Sequence, residues 1–369
     1  MKILVTGANG FIGKNLIANL KHKEYTNILE YDLNTNPALL DEYCKEADFI
    51  YHLAGVNRPK DQSEFMKGNF GLTFNLIKLL KKHNNRCPVM FSSSIQASLD
   101  NPYGRSKKAG EDLVLEYGME TGSRVLVYRF PNVFGKWCNP NYNSAVATFC
   151  FNIANDLEIY VKNRSTVLKL VYIDDVINEL KRALHGNPNI SGNFCEVPEV
   201  YSITLGEIVD LILSFKRSRI DFSIPNMGNE FTKKLYSTYL SYLPKEEFSY
   251  ELSMKEDVRG SFTEFLKTSD RGQVSVNILR PGVVKGNHWH NTKNEKFLVV
   301  SGKGVIRLRK VNTDEIIEIY VSGDKLEVVD IPTGYTHNIE NVGDIDMVTV
   351  MWANENFNPE KLDTIFLEV

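Results

Sequence analysis

The chain begins Met1-Lys2-Ile3-Leu4-Val5-Thr6-Gly7-Ala8-Asn9-Gly10-Phe11-Ile12-Gly13, and this stretch decides how its first half is read. An apolar run of strand length, 2–5, stops at Gly7, and a helical stretch follows the glycines. The glycines let the backbone approach a pyrophosphate and let the helix pack on the strand. The helix start then faces the phosphate with free N–H groups. Strand, glycine-rich turn and helix in that order favour a dinucleotide site over a plain turn. Asp32 closes the second apolar run, where a carboxylate can bind the adenosine ribose hydroxyls; a loop cap is the alternative. No arginine directly follows it, so the local residues do not separate NAD from NADP.

Outward from this turn the pattern repeats as far as residue 243. Apolar runs at 2–5, 28–31, 49–53, 89–91 and 124–128 alternate with helical stretches such as 64–83 and 106–119. Continuous apolar strands alternating with helices imply a parallel sheet covered on both faces. Residues 244–252 are polar and charged and read as a linker. Beyond them, short β-like runs at 273–279, 296–300, 304–309, 315–321, 326–331 and 346–352 are punctuated by Gly, Pro and Asn. That texture predicts an all-β sandwich or small barrel. The expected architecture is α/β: a Rossmann-type parallel sheet domain at 1–243, followed by an all-β domain at 253–369.

The bulk properties restrict partners. A length of 369 residues suits two domains. The net charge of −3 is spread along the chain, without the basic stripe of a nucleic-acid binder. Met1–Val5 is too short an apolar run for a signal, and no stretch reaches bilayer-spanning length. Cys44, Cys87, Cys138, Cys150 and Cys195 are scattered without metal-ligand spacing, which predicts reduced thiols in a cytoplasmic protein with no membrane partner.

Tyr103-Gly104-Arg105-Ser106-Lys107 places Tyr and Lys one helical turn apart on one face. A phenol titrates near pH 10, so it needs help to exchange protons at neutral pH. The Lys107 ammonium and a nicotinamide's positive charge are expected to lower it. Tyr103 can then give a proton to a carbonyl oxygen as hydride reaches carbon. Ser94, at the end of Phe91-Ser92-Ser93-Ser94, can hydrogen-bond the same oxygen, with Ser93 as the alternative.

A second constellation lies in the β region: Gly282, His288-Trp289-His290, Glu295 and Gly302, then Pro332, Gly334, His337 and Asn341. His288 and His290 alternate on a strand and point to one face. Glu295 and His337 are expected from neighbouring strands. Three of the chain's seven histidines fall in this pattern. Three imidazoles and a carboxylate suit zinc, with iron, nickel or manganese as alternatives; a polar barrel interior without metal is the bland alternative.

On these residues the first part resembles the extended short-chain dehydrogenase/reductases that act on nucleotide sugars. The resemblance implies that His52-Leu53-Ala54-Gly55 lines the cofactor and that Arg129-Phe130-Pro131-Asn132-Val133-Phe134-Gly135 is the nicotinamide-side loop. A later family motif matches Val171-Tyr172-Ile173-Asp174-Asp175-Val176. The cofactor contacts so implied are Gly7, Asn9, Gly10, Phe11, Ile12, Gly13, Asp32, Leu53, Ala54, Gly55, Tyr103, Lys107, Asn132 and Val133, with Ser94, Tyr103 and Lys107 catalytic.

The second part resembles the cupins, jelly-roll barrels whose two motifs would make His288, His290, Glu295 and His337 metal ligands. Gly323 stands farther before Pro332 than the usual cupin spacing. Asp257–Glu264 and Lys285-Gly286-Asn287-His288 are also similar to segments of the dTDP-4-keto-6-deoxy-sugar 3,5-epimerases. Those cupins use a histidine base near the position of His288, a role a metal-bound imidazole cannot take. Lys293 and Tyr335, beside the ligands, are alternative candidates for a base.

Over its full length the chain resembles bifunctional enzymes of capsular polysaccharide synthesis. That resemblance implies C3 epimerisation of a UDP-linked 4-keto-2-acetamido-2,6-dideoxy-hexose by the cupin domain. Reduction at C4 with NADPH by the Rossmann domain would follow, giving UDP-2-acetamido-2,6-dideoxy-L-talose. It also implies a homodimer. Two alternatives stand beside it: a reductase whose cupin is a structural or oligomerisation module, and a non-catalytic dinucleotide sensor.

Overall fold

A computed structural model describes residues 1–23, 25–358, 360 and 363–369. The chain divides into two compact units, Met1–Leu213 with Asn229–Pro244, and Ser214–Gly228 with Lys245–Val369. The grouping departs from the expected 1–243 and 253–369 split at Ser214–Gly228. Backbone hydrogen bonds tie that segment to the β region: Ile224 N–H to the Lys267 carbonyl at 2.8 Å, and Lys267 N–H to the Phe222 carbonyl at 2.7 Å.

The first unit is built on a seven-stranded sheet. Its spatial order is Ile28–Tyr31, Ile3–Thr6, Phe49–His52, Val89–Ser94, Val125–Phe130, Phe194–Cys195 and Ile190–Ser191. All neighbours run parallel except the last hairpin. The central strands are buried on both faces, so they read as continuous apolar runs. Alternate residues serve opposite layers. Ile3 and Val5 pack with Leu16, Ile17, Val176 and Leu180 of the helices Phe11–His22 and Ile173–Leu184. Leu4 and Ile50 pack with Leu76, Leu80, Val114 and Tyr117 of Leu72–Lys82 and Pro102–Thr121.

Successive strands run outward in opposite directions from Ile3–Thr6 and Phe49–His52. Ligands of open α/β sheets bind in the crevice beyond the carboxyl ends at such a switch point. Here that crevice brings Gly7 against Ala54: a Cβ on Gly7 would lie 2.7 Å from the Ala54 nitrogen.

Two helices carry signals visible in the sequence. Pro102–Thr121 starts with Asn101 accepting the Gly104 N–H at 2.8 Å and Pro102 in the first turn; it ends at Gly122 with φ +72°. The helical stretch read at 64–83 contains a π-helical segment, Met66–Gly71, between Ser63–Phe65 and Leu72–Lys82. Such segments concentrate near functional sites, and this one turns Asn69 into the interior. A small sheet of Tyr201–Thr204, Val167–Tyr172 and Asn132–Phe134 completes the unit.

The second unit is all-β, a cupin-like sandwich of two antiparallel sheets. One has the order Lys255–Asp257, Gly260–Lys267, Gln273–Leu279, Met347–Ala353, Glu295–Ser301, Val328–Ile331. The other has the order Ile316–Ser322, Lys303–Lys310, Tyr335–Asn341, Val284–Trp289, Ile365–Phe366. Leu279, Phe297, Val299 and Met347 of the first meet Ile306, Leu308, Val321 and Ile339 of the second. The strand Gln273–Leu279 alternates between buried and half-buried, but Gln273, Ser275 and Asn277 occupy its buried side. Part of the unit's interior is therefore polar. Among the described residues no helix is long and apolar enough to cross a membrane.

Candidate functional site

The glycine-rich turn sits at the switch-point crevice. Gly7 holds φ +70°, a conformation that favours glycine, and donates its N–H to the Tyr31 carbonyl at 2.9 Å. Gly10 N–H closes the turn on the Gly7 carbonyl at 3.0 Å. A Cβ on Gly13 would stand 2.2 Å from the Gly7 carbonyl oxygen, so only glycine lets the helix come this close. No side chain caps the helix start at Gly10. The cradle and the uncapped helix start suit a pyrophosphate. Phe11 and Ile12 turn back onto the core. Asp32 braces the turn: its Oδ2 accepts Asn9 N–H at 2.7 Å and its Oδ1 accepts Leu33 N–H at 2.7 Å.

A directed hydrogen-bond chain, not legible in the sequence, supports Leu53, Ala54 and Gly55. Thr73 Oγ1 donates to the Asn69 carbonyl at 2.6 Å, so it accepts from His52 Nε2 at 2.9 Å. His52 Nδ1 then accepts from Thr6 Oγ1 at 2.6 Å, and Thr6 Oγ1 accepts Ala54 N–H at 3.3 Å. Burial, with the nearby Lys107 charge, holds His52 down at about 3, so the ring is neutral with its proton on Nε2. Asn69 extends the support. Its Oδ1 accepts Val56 N–H at 2.8 Å, and its Nδ2 donates to the Val56 carbonyl and to Ser106 Oγ, each at 2.9 Å.

Lys107 stands against Gly55, and Ser94 acts on Tyr103, one helical turn before Lys107. A Cβ on Gly55 would lie 2.9 Å from Lys107 Nζ. Lys107 is buried, and its ammonium donates to the Ser92 carbonyl at 2.9 Å. Burial lowers its pKa to about 8, with Glu111 pulling the other way. The Tyr103 ring packs on Phe65 with centroids 5.6 Å apart. Its pKa differs from expectation: burial pushes the phenol up, opposed by a hydrogen bond from Ser94. The Lys107 ammonium, aimed at the Ser92 carbonyl, does not bring it down by itself. The two serines separate cleanly. Ser94 reaches Tyr103 and caps the next turn through Gln96 N–H at 3.2 Å, whereas Ser93 Oγ is spent on buried Glu111 at 2.5 Å. Asn132 lies exposed in the small sheet, its Nδ2 on the Lys169 carbonyl at 3.2 Å, and Val133 packs on the core.

The second unit gathers His288, His290, Glu295 and His337, with one ligand atom of each lying within 4.8 Å of the others. His288 and His337 face each other in register on paired strands. Two placements differ from expectation. His290 stands just past the end of Val284–Trp289, and Glu295 comes from the facing sheet, because the cluster spans the sandwich. His290 Nδ1 donates to the Asp363 carbonyl, which leaves the lone pair on Nε2. The Asp363 carboxylate in turn accepts the N–H groups of Asn291, Thr292 and Lys293 at 2.9, 2.7 and 2.9 Å, fixing the loop between ligands.

Burial alone would push Glu295 up, but His290, His337 and Lys293 outweigh it and hold the carboxyl well below its usual range. Its Oε1 is 3.0 Å from Lys293 Nζ; its Oε2 is 3.3 Å from His337 Nε2 and 3.6 Å from His290 Nε2. Burial, then the neighbouring His337, lowers His288 to about 4, so its imidazole is neutral at pH 7. His290 Nε2, Glu295 Oε2 and His337 Nε2 are buried and have no hydrogen-bond partner among the described residues. Converging orphaned lone pairs of this N and O type fit a borderline divalent cation. Lys293, engaged by Glu295, and Tyr335, at the start of its strand, flank the cluster.

Comparison with known proteins follows the same division. Residues 3–193 match the NAD dependent epimerase/dehydratase family, and residues 255–365 match the polysaccharide biosynthesis C-terminal domain. The UDP-2-acetamido-2,6-beta-L-arabino-hexul-4-ose reductase of Pseudomonas aeruginosa is 44% identical, over 99% of this chain and 98% of its own. The crystal structure of the capsular polysaccharide assembling protein CapF from Staphylococcus aureus is 58% identical, covers 100% of both chains and superposes with a TM-score of 0.95. The UDP-glucuronic acid 4-epimerase of Bacillus cereus in complex with NAD, 19% identical over 68% of this chain and 100% of its own with a TM-score of 0.54, shares the fold of the first unit. The chain belongs to the NAD dependent epimerase/dehydratase family, with a polysaccharide biosynthesis C-terminal domain joined to it.

Proposed function

We propose that the chain is a bifunctional nucleotide-sugar enzyme of capsular polysaccharide synthesis. The second unit epimerises C3 of a UDP-linked 4-keto-2-acetamido-2,6-dideoxy-hexose. The first unit then reduces C4 with NADPH to give UDP-2-acetamido-2,6-dideoxy-L-talose. The observation that carries the reading is the end-to-end match to a named 4-ulose reductase; Lys107 against Gly55 and Ser94 acting on Tyr103 support it.

In this scheme Gly7, Asn9, Gly10, Phe11, Ile12 and Gly13 hold the pyrophosphate, and Asp32, through the turn it braces, adjoins the ribose. Leu53, Ala54, Gly55, Asn132 and Val133 line the nicotinamide side. NADPH held there supplies hydride to C4. Tyr103 Oη delivers a proton to the C4 ketone oxygen while Ser94 donates a hydrogen bond to the same atom. Ketone plus hydride plus proton then balances as a secondary alcohol. The Lys107 ammonium contributes positive field against the burial of the phenol, and a bound nicotinamide would add to it.

For the first step the C4 ketone acidifies the C3 proton. His288, His290, Glu295 and His337 would hold a divalent ion, zinc by the donor set, which as a Lewis acid stabilises charge on a ketone oxygen. Glu295 keeps its charge there, and Asp363 and Lys293 orient the ligands. Reduction at C4 removes the ketone and traps the new C3 configuration. A cytoplasmic homodimer is part of the proposal.

The test is NADPH oxidation at 340 nm with the UDP-4-keto sugar, wild type against Tyr103→Phe. Turnover in the wild type and a loss of about 10²-fold or more in the variant are expected. Equal turnover in both would remove Tyr103 as the acid. Separately, deuterium uptake at C3 from D2O without NADPH is expected in the metal-loaded full-length protein and absent in His337→Ala. No uptake in the wild type favours the second unit as a structural module.

A further inference from the structure

The strand Val89–Ser94 ends in three serines, and each is gripped by a different residue of the helix Pro102–Thr121. Ser94 acts on the Tyr103 phenol, the Ser92 carbonyl accepts from Lys107, and Ser93 Oγ donates to Glu111 Oε1. Positions 103, 107 and 111 are each four apart and line one helix face. The first two rungs belong to the proposed reduction, and the third has no part in it.

Glu111 is wholly buried. Both its oxygens are engaged: Oε1 also accepts Arg129 Nε at 2.8 Å, and Oε2 accepts Arg129 Nη2 at 2.6 Å. Arg129 pairs with Ser93 in the neighbouring strand, and its guanidinium lies 3.9 Å above the Phe194 ring. A buried carboxylate is costly to keep unless it is paired, and this pairing also ties the strand end to the helix.

The groups facing Lys107 give the carboxylate a second role. Its own helix carries Tyr103 one turn before it and Glu111 one turn after; the central strand presents neutral His52, and the serine strand the Phe91 ring, 5.7 Å away. Arg129 lies behind Glu111. Glu111 is the one anion acting on that ammonium among these described groups.

We infer that Glu111 is a positioning residue for the reduction: it locks the serine run in register with Tyr103 and Lys107 and places a negative charge one helical turn from the buried Lys107 ammonium. The inference rests on the reductase reading. Glu111→Gln keeps the shape and removes the charge, leaving Arg129 uncompensated, which acts in the same direction.

Two readouts test it in the full-length protein. Lysine side-chain NMR with 13Cε/15Nζ label, assigned with Lys107→Met, reads the Lys107 titration without turnover. The alkaline limb of the kcat/KM profile for NADPH and the UDP-4-keto sugar reads its consequence. Both are expected to move down by about one pH unit or more in Glu111→Gln, with KM for NADPH changed less than about threefold. An unmoved Lys107 midpoint, or a uniform loss at every pH, overturns the inference. Glu111→Asp keeps the charge and withdraws from Ser93, so it should hold the midpoint and lower kcat about tenfold or more. Wild-type kcat in that variant overturns the positioning role even where Glu111→Gln fails to fold. A wild-type protein that never oxidises NADPH defeats the reductase reading, while the NMR midpoint still decides the charge role.

Discussion

Removing the metal from the second unit should be felt as stability before it is felt as activity. Three buried atoms that converge there, His290 Nε2, Glu295 Oε2 and His337 Nε2, have no hydrogen-bond partner among the described residues. A buried polar atom left unsatisfied costs about 1–3 kcal/mol, so ligation of these atoms favours the folded unit. A cation that satisfies them stabilises the folded unit by mass action, about 2.7 kcal/mol at a concentration 100 times its dissociation constant. For a domain of this size that corresponds to a rise of about 10 °C in Tm. The assay is differential scanning calorimetry of protein stripped with chelator and reloaded with zinc, with metal content measured by mass spectrometry. His337→Ala, which deletes one ligand, should lose most of the shift. Superimposable traces with and without zinc, or an undiminished shift in His337→Ala, would refute the assignment of these four side chains as a metal centre.

Further outcomes concern the first unit. Gly13→Ala places a methyl 2.2 Å from the Gly7 carbonyl oxygen. At about 1–3 kcal/mol for such overpacking, NADPH binding followed by nicotinamide fluorescence should weaken about 5- to 100-fold. Lys107→Met should abolish reduction yet stabilise the fold in urea titrations at pH 7, by up to about 3 kcal/mol. The sign follows from burial lowering Lys107 to about 8. Between that value and its unfolded value near 10.5 the unfolded chain binds more protons, so wild-type stability rises with pH through that window, while below pH 8 the full penalty is present. Wild type should therefore gain on Lys107→Met between pH 8 and 10, and a constant gap across that range would contradict it.

Much of this arrangement was legible in the sequence where burial and chemistry reinforce each other. Ile3, Leu4 and Val5 are apolar because both faces of their strand are covered, and Gly7 and Gly13 mark close backbone approaches. The reading failed where buried positions are polar. Tyr335–Asn341 carries buried Thr336, His337, Asn338 and Asn341, so no hydrophobic run announces a strand, although His337 itself was found from its spacing. Gly260–Lys267, with buried Ser261 and Thr263, escaped for the same reason. Glu111 sits at a visible helical interval from Tyr103, but Arg129 reaches it from a separate strand. The chain through Thr6, His52, Thr73 and Asn69 draws on four segments at once, and only tertiary packing brings those together. The expected fall in the Tyr103 pKa ignored its own burial, which sequence spacing does not report.

Isotope transfer distinguishes reduction of a 4-keto nucleotide sugar at C4 from every other fate of the NADPH hydride. The protein is incubated with NADPH deuterated at the transferable C4 position of the nicotinamide and with the UDP-linked 4-keto-2-acetamido-2,6-dideoxy-hexose, and the sugar is examined by NMR. One deuterium is expected at C4 of a product with a hydroxyl in place of the ketone, in amount equal to the NADPH consumed. A recovered ketone with no deuterium at C4, from folded and metal-loaded protein, would contradict it.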